Sequence, residues 1–153
     1  MCTRLAAILL FSLLSSGFLH AKPNFTGEWK MNAAKSDFGP MPAPQTFNRN
    51  VQHDDPKMSI KTEQKGERGE IKSDLSYTTD GKPFTNKGSF GEVTGTAKWD
   101  GDVLVVETKR TVQDIEIKQT DRWTLDDGGK SMKISTVINT PHGDFQVTVR
   151  FEK

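Results

Sequence analysis

From Asn24 onward the chain alternates between apolar and polar residues. In NFTGEWKMN, residues 24–32, Phe25, Gly27, Trp29 and Met31 fall on one side and Asn24, Thr26, Glu28 and Lys30 on the other. A period of two is the signature of a strand with one face turned to a core. The pattern recurs in Phe47, Arg49, Val51 and His53; in Met58, Ile60 and Thr62; and in Ile71, Ser73, Leu75 and Tyr77. It returns in Val93, Gly95, Ala97 and Trp99, then in Ile115, Ile117, Gln119, Asp121 and Trp123. Met132, Ile134, Thr136 and Ile138 form another face, and Phe145, Val147, Val149 and Phe151 a last one. A weaker run holds Phe84 and Phe90, and VLVV at 103–106 is apolar on both faces.

Turn sequences separate these runs: KGERGE, TDGK, WDGD, DDGGK and TPHGD. Asp-Gly between alternating segments favours a tight hairpin, because the turn needs positive φ at its central residues. The spacing predicts about ten short strands and no helix. Consecutive strands joined by hairpins, each with one apolar face, predict an all-β, antiparallel up-and-down barrel of about 8–10 strands, since closure removes the sheet edges. A two-sheet β-sandwich is the alternative. One connection is long: AAKSDFGPMPAPQ, residues 33–45, where Pro40, Pro42 and Pro44 exclude a helix. It is either a lid over a barrel opening or a covering loop.

The first 21 residues break the pattern. Arg4 precedes an apolar stretch, Leu5 to Leu14, followed by small residues and Leu19-His20-Ala21. This is the layout of a secretory signal, shorter than a bilayer span requires. The expectation is therefore an exported protein, periplasmic or secreted, with a single domain over 22–153 and no stable membrane insertion once the signal is removed. Cys2, the only cysteine, leaves with it, so disulfides, thiolate metal sites and cysteine nucleophiles are excluded downstream. Arg4 leaves too, bringing the 21 Lys+Arg level with the 20 Asp+Glu. A neutral domain lacks the basic surplus that nucleic acid binding needs.

Gly27-x-Trp29 in the first strand resembles the lipocalins and the intracellular lipid-binding proteins, and GEWKMNAAKSDFGP resembles small secreted bacterial proteins described as lipocalin-like. The resemblance implies that Gly27 allows close backbone approach and that Trp29 plugs the barrel base. The closing VTVRFEK is similar to the last strand of the intracellular lipid-binding proteins. Those proteins hold a fatty-acid carboxylate with an arginine and a tyrosine in that strand, and Val149 and Phe151 occupy the matching positions here. The helical lid that follows their first strand is replaced by prolines. Lipocalins also pack an arginine over the tryptophan; Arg122 and Arg150 are near enough in sequence, but their alternation points both outward.

A barrel of this size is just wide enough to be filled by side chains or to hold one small ligand. The cavity candidates are Arg49, Tyr77, Trp99, Ile117, Gln119, Asp121 and Met132, with Arg49 near the mouth. An inward Arg49 needs an acidic partner, a ligand or water, because an unpaired buried charge is costly; Asp121 is the candidate partner, and a strand-end position open to solvent is the plainer reading. HDDP and PHGD set histidines beside acids, but both are turn sequences, and no metal site is expected. No Gly-x-Ser-x-Gly elbow is present, so neither catalytic residues nor a cofactor are expected. The function so inferred is non-catalytic binding of a small, largely apolar or amphipathic ligand. The alternative is a filled structural barrel that engages a protein partner, with a small enzyme third, conditional on Arg49, His53 and Asp121 meeting in one pocket.

Overall fold

The computed structural model describes residues 20–153; all but the last two residues of the expected signal segment lie outside that range. Ten strands follow one another: β1 (Gly27–Met31), β2 (Thr46–Asp54), β3 (Lys57–Gly66), β4 (Gly69–Thr78), β5 (Phe84–Gly88), β6 (Gly91–Asp100), β7 (Val103–Val112), β8 (Ile115–Asp126), β9 (Ser131–Thr140) and β10 (Gly143–Glu152). Each pairs antiparallel with its sequence neighbours, except that β4 and β5 share no ladder, and β1 also pairs with β10. One sheet in the order β4-β3-β2-β1-β10-β9-β8-β7-β6-β5 curls into a nearly closed up-and-down barrel. This is the barrel that the alternation predicts, not the sandwich. The turn between β7 and β8 takes positive φ without a glycine: Gln113 and Asp114 adopt φ of 49° and 64°.

Burial along the inward faces falls from one end of the barrel to the other. On β3, Met58 and Ile60 are buried while Thr62 and Gln64 are half-buried. On β8, Trp123 and Asp121 are buried and Gln119 and Ile117 half-buried; on β10, Phe151, Val149 and Val147 are buried and Phe145 half-buried. The end that holds Phe25, Trp29, Leu104 and Trp123 is therefore a packed base. The opposite end, ringed by the turns at 67–68, 89–90, 113–114 and 141–142, is the looser mouth.

The base explains the glycine two residues before Trp29. The Trp29 indole Nε1 donates to the Phe25 carbonyl at 2.8 Å, and the Lys153 Nζ lies 4.8 Å above its ring. Lys153 reaches that position across Gly27, where a Cβ would stand 2.7 Å from the lysine Cε. Gly27 also has φ +151°, a conformation that side chains disfavour. The cation over the first-strand tryptophan is thus Lys153. Arg122 and Arg150 face outward and pair with Asp100 and Asp126.

The proline-bearing segment is fastened to the wall. β1 pairs with β10 at Lys30–Glu152 and Met31–Phe151. Beyond that point Asn32 donates its N–H to the Arg150 carbonyl at 2.8 Å, and Asp37 and Thr148 exchange both backbone bonds at 2.7 Å. Phe38 packs against the core and Pro44 is buried. The segment closes the gap that the short β1 leaves between β2 and β10, so the backbone groups of β10 stay paired.

Candidate ligand site inside the barrel

Three inward positions carry formal charge: Arg49 on β2, Arg110 on β7 and Asp121 on β8. Alternation places all three, since each shares parity with buried neighbours, namely Val51, Val106 and Trp123. Two cations and one anion thus point into the barrel, an excess of one positive charge, and both arginines are half-buried.

Asp121 is already engaged. The Gln119 Nε2 donates to its two carboxylate oxygens at 3.0 and 3.2 Å, and the Thr136 hydroxyl donates to Oδ1 at 2.7 Å. Neither guanidinium has a carboxylate within ion-pair distance among the described residues, so the Arg49–Asp121 pair that the sequence suggests does not form. Both arginine Nε atoms are buried without a hydrogen-bond partner, and so is the Trp123 Nε1. Burial pushes both guanidinium pKa values below their ordinary range, with Asp121 partly opposing from a distance.

What surrounds Arg49 is aromatic. Its guanidinium carbon lies 5.1 Å from the Phe47 ring, 5.0 Å from Trp123 and 5.6 Å from Phe151. Ring faces attract a cation but offer no acceptor to its N–H groups. Tyr77 stands nearby: burial raises its phenol far above the usual value, against a lowering contribution from Arg49, so it is a neutral hydroxyl. Together these groups form an interior rich in unused donors. Such a site can hold an anion or another strong acceptor.

The remaining cavity candidates divide between the two halves of the barrel. Ile117 and Gln119 are half-buried on the mouth side. Met132 is fully buried in the core. Trp99 belongs to the base, its ring 6.0 Å from both Phe25 and His53. Gly95 opens no free space: a Cβ there would collide with the Glu107 carbonyl oxygen and the Phe84 ring. Arg110 and Trp123 Nε1 lie outside the sequence-derived set. The signal for Arg110 was present, since stepping by two from Leu104 through Val106 and Thr108 reaches it, but VLVV draws attention away from parity.

His53 is not part of this cluster. Its Nδ1 accepts the Phe25 N–H at 3.2 Å, so the ring proton sits on Nε2, 3.2 Å from Asp55 Oδ1. The same oxygen accepts from the Thr79 hydroxyl at 2.6 Å and the Trp99 Nε1 at 3.0 Å. Arg49, His53 and Asp121 therefore do not converge. No group of three or more His, Cys, Asp or Glu side chains suited to a metal occurs among the described residues. Two solvent-open grooves, of about 630 and 350 Å³, are lined mainly by outward residues: Gln52, Ser59, Ser76 and Thr78 in one, Thr120, Ser135, Val137 and Thr148 in the other.

No protein-family model and no curated protein matches this chain. Solved structures do. An abundant heat-soluble (SAHS) protein of Ramazzottius varieornatus superposes with a TM-score of 0.62 at 12% identity, covering 86% of this chain and 97% of that one. A Schistosoma mansoni fatty acid binding protein, solved with arachidonic acid, gives 0.52 at 14% identity over 84% and 95% of the two chains. Human cRBP IV gives 0.52 at 12% identity over 84% and 98%. At these identities the similarity establishes a shared architecture: the chain folds as a barrel of the kind seen in fatty-acid-binding and SAHS proteins.

Proposed function

We propose that this protein is an exported barrel that binds, without transforming it, a small amphipathic molecule bearing one negative charge. The charged head sits between Arg49 and Arg110, and the apolar remainder extends toward Ile117, Ile138 and Phe145. One observation carries the reading: two inward arginines, each with a buried and unpartnered Nε, face a single aspartate whose oxygens are already taken. A buried cation without a counter-ion is expensive, and a monoanionic ligand removes the cost. The known barrels of this architecture that bind fatty acids support the general idea. The donors invoked here lie on β2, β7 and β8, not at the last-strand positions, where Val149 and Phe151 are buried and apolar.

The test is a comparison of head groups. A long-chain carboxylate and the alcohol of the same length compete for the chain from Lys22 onward, each displacing a fluorescent apolar probe. Preference for the carboxylate by about tenfold or more is expected, equivalent to one charge-assisted hydrogen bond. The preference should fall in both Arg49→Gln and Arg110→Gln. Equal affinity for the two head groups, or variants that keep the preference, refutes the proposal. Sequencing the N-terminus of exported protein tests the signal segment. The packed base and the outer grooves favour one rival, a filled barrel that engages a protein partner through its wall. It gains ground if neither competitor binds.

A further inference from the structure

Nine ladders join the ten strands, and the tenth junction, between β4 and β5, has none. Two strand edges that would ordinarily attract partners face each other across it. What crosses the junction is side chain. The Asn86 carboxamide donates from Nδ2 to the Ser76 carbonyl at 2.9 Å and accepts the Ser76 N–H on Oδ1 at 3.1 Å. A primary amide carries one donor and one acceptor face, so it imitates the pair of bonds that an antiparallel partner would exchange with Ser76. Nearer the mouth the Ser89 hydroxyl donates to the Lys72 carbonyl. On the lumen side Tyr77 and Phe84 stack at 4.8 Å behind this clasp.

The junction leads to the charged cluster and has an apolar threshold. Tyr77, on its inner lining, is close enough to Arg49 and Asp121 for both to act on its phenol. Outside, the Ser89–Lys72 bond brings the β5–β6 turn against β4. Phe90, 60% exposed, and Ile71, 37% exposed, are next in sequence to those two residues. Two of the three large exposed apolar side chains among the described residues therefore flank the upper end of the one unladdered junction. At the other junctions a ligand would have to break a ladder of backbone bonds. Here, separating one carboxamide, one hydroxyl and one pair of stacked rings suffices.

We propose that the β4–β5 junction is a side gate through which the ligand reaches the Arg49–Arg110 site, and that Asn86 is its latch. The proposal rests on the lumen being a binding site, and the experiment reads the two ideas separately. The probe is 1-anilinonaphthalene-8-sulfonate, an apolar fluorophore with one negative charge, mixed with the folded chain in a stopped-flow instrument. A latch opens in the free and loaded protein alike, so loosening it alters both rates and leaves their ratio nearly unchanged. In Asn86→Ala, association and dissociation should each accelerate about tenfold, the scale of one to two net hydrogen bonds, with Kd within about twofold. Hydrogen exchange at the Ser76 amide should accelerate alongside. Thr140→Ala, which removes the hydroxyl that bonds the Gly143 carbonyl in a mouth turn, is the control and should leave both rates alone.

Unchanged probe rates in Asn86→Ala overturn the gate, whether or not Ser76 exchange accelerates. Equal acceleration in Thr140→Ala overturns it too, by placing the passage at the mouth. Loss of affinity without change in association rate makes Asn86 a part of the wall and not a latch. A wild-type chain that fails to bind the probe refutes the lumen site itself, and the gate with it.

Discussion

Arg49 offers a sharp test, because the interior reading predicts that removing it strengthens the empty protein. In Arg49→Met an unpaired guanidinium gives way to an apolar side chain of similar length. Lost with it is the attraction of the Phe47, Trp123 and Phe151 rings, centred 5.0 to 5.6 Å away. At about 0.5–1 kcal/mol for each ring that amounts to roughly 2 kcal/mol. Removed with it is the desolvation of a buried cation, which costs several kcal/mol even after relaxation. The difference favours methionine by about 1–2 kcal/mol. For a domain of this size that raises Tm by roughly 5 °C. The assay is urea and thermal unfolding of ligand-stripped protein, repeated with a long-chain carboxylate in excess. The carboxylate should stabilise the wild type by mass action and the variant far less. If Arg49→Met instead loses about 2 kcal/mol or more without ligand, the guanidinium belongs to a satisfied structural network, and the proposed anion site fails.

Two further expectations concern the base. Gly27→Ala sets a Cβ against Lys153 in a strained conformation and should cost about 1–3 kcal/mol in urea unfolding, whereas Lys153→Ala alone should cost under about 1 kcal/mol. A similar loss in both would mean that the cation contact, and not the backbone, sets the need for glycine. Burial opposes ionisation of Asp55, but bonds from Thr79, Trp99 and His53 outweigh it and hold its pKa below the ordinary 3.8. A depressed carboxylate stabilises the fold above the unfolded value, and that contribution fades as pH falls through the folded one. Wild-type stability should thus decline more steeply below about pH 4 than that of Asp55→Asn; parallel curves would remove Asp55 from the account.

Strand order, turn positions and facing side chains were legible in the sequence because each depends on residues close together in the chain. Alternation from Phe25 to Phe151 marks the inward set, with Arg49, Tyr77, Gln119 and Asp121 on inner faces. It also ruled out Arg122 and Arg150 as partners of Trp29. The same rule, carried past Val106, would have found Arg110. Period two is a local steric property, so it survives whatever the rest of the chain does.

Closure of the ring decided what local pattern could not. Which end packs tight, and that Lys153 crosses Gly27 to reach Trp29, follow from how strands far apart in sequence are staggered around the barrel. So does the separation of Asp121 from both arginines: Gln119 and Thr136 donate to its oxygens, and the Arg49 guanidinium is left facing the Phe47, Trp123 and Phe151 rings. The open β4–β5 junction is likewise a property of the closed ring, because two strands adjacent in sequence need not be adjacent in hydrogen bonding. Alternation says which way a side chain points; only the assembled barrel says what it meets.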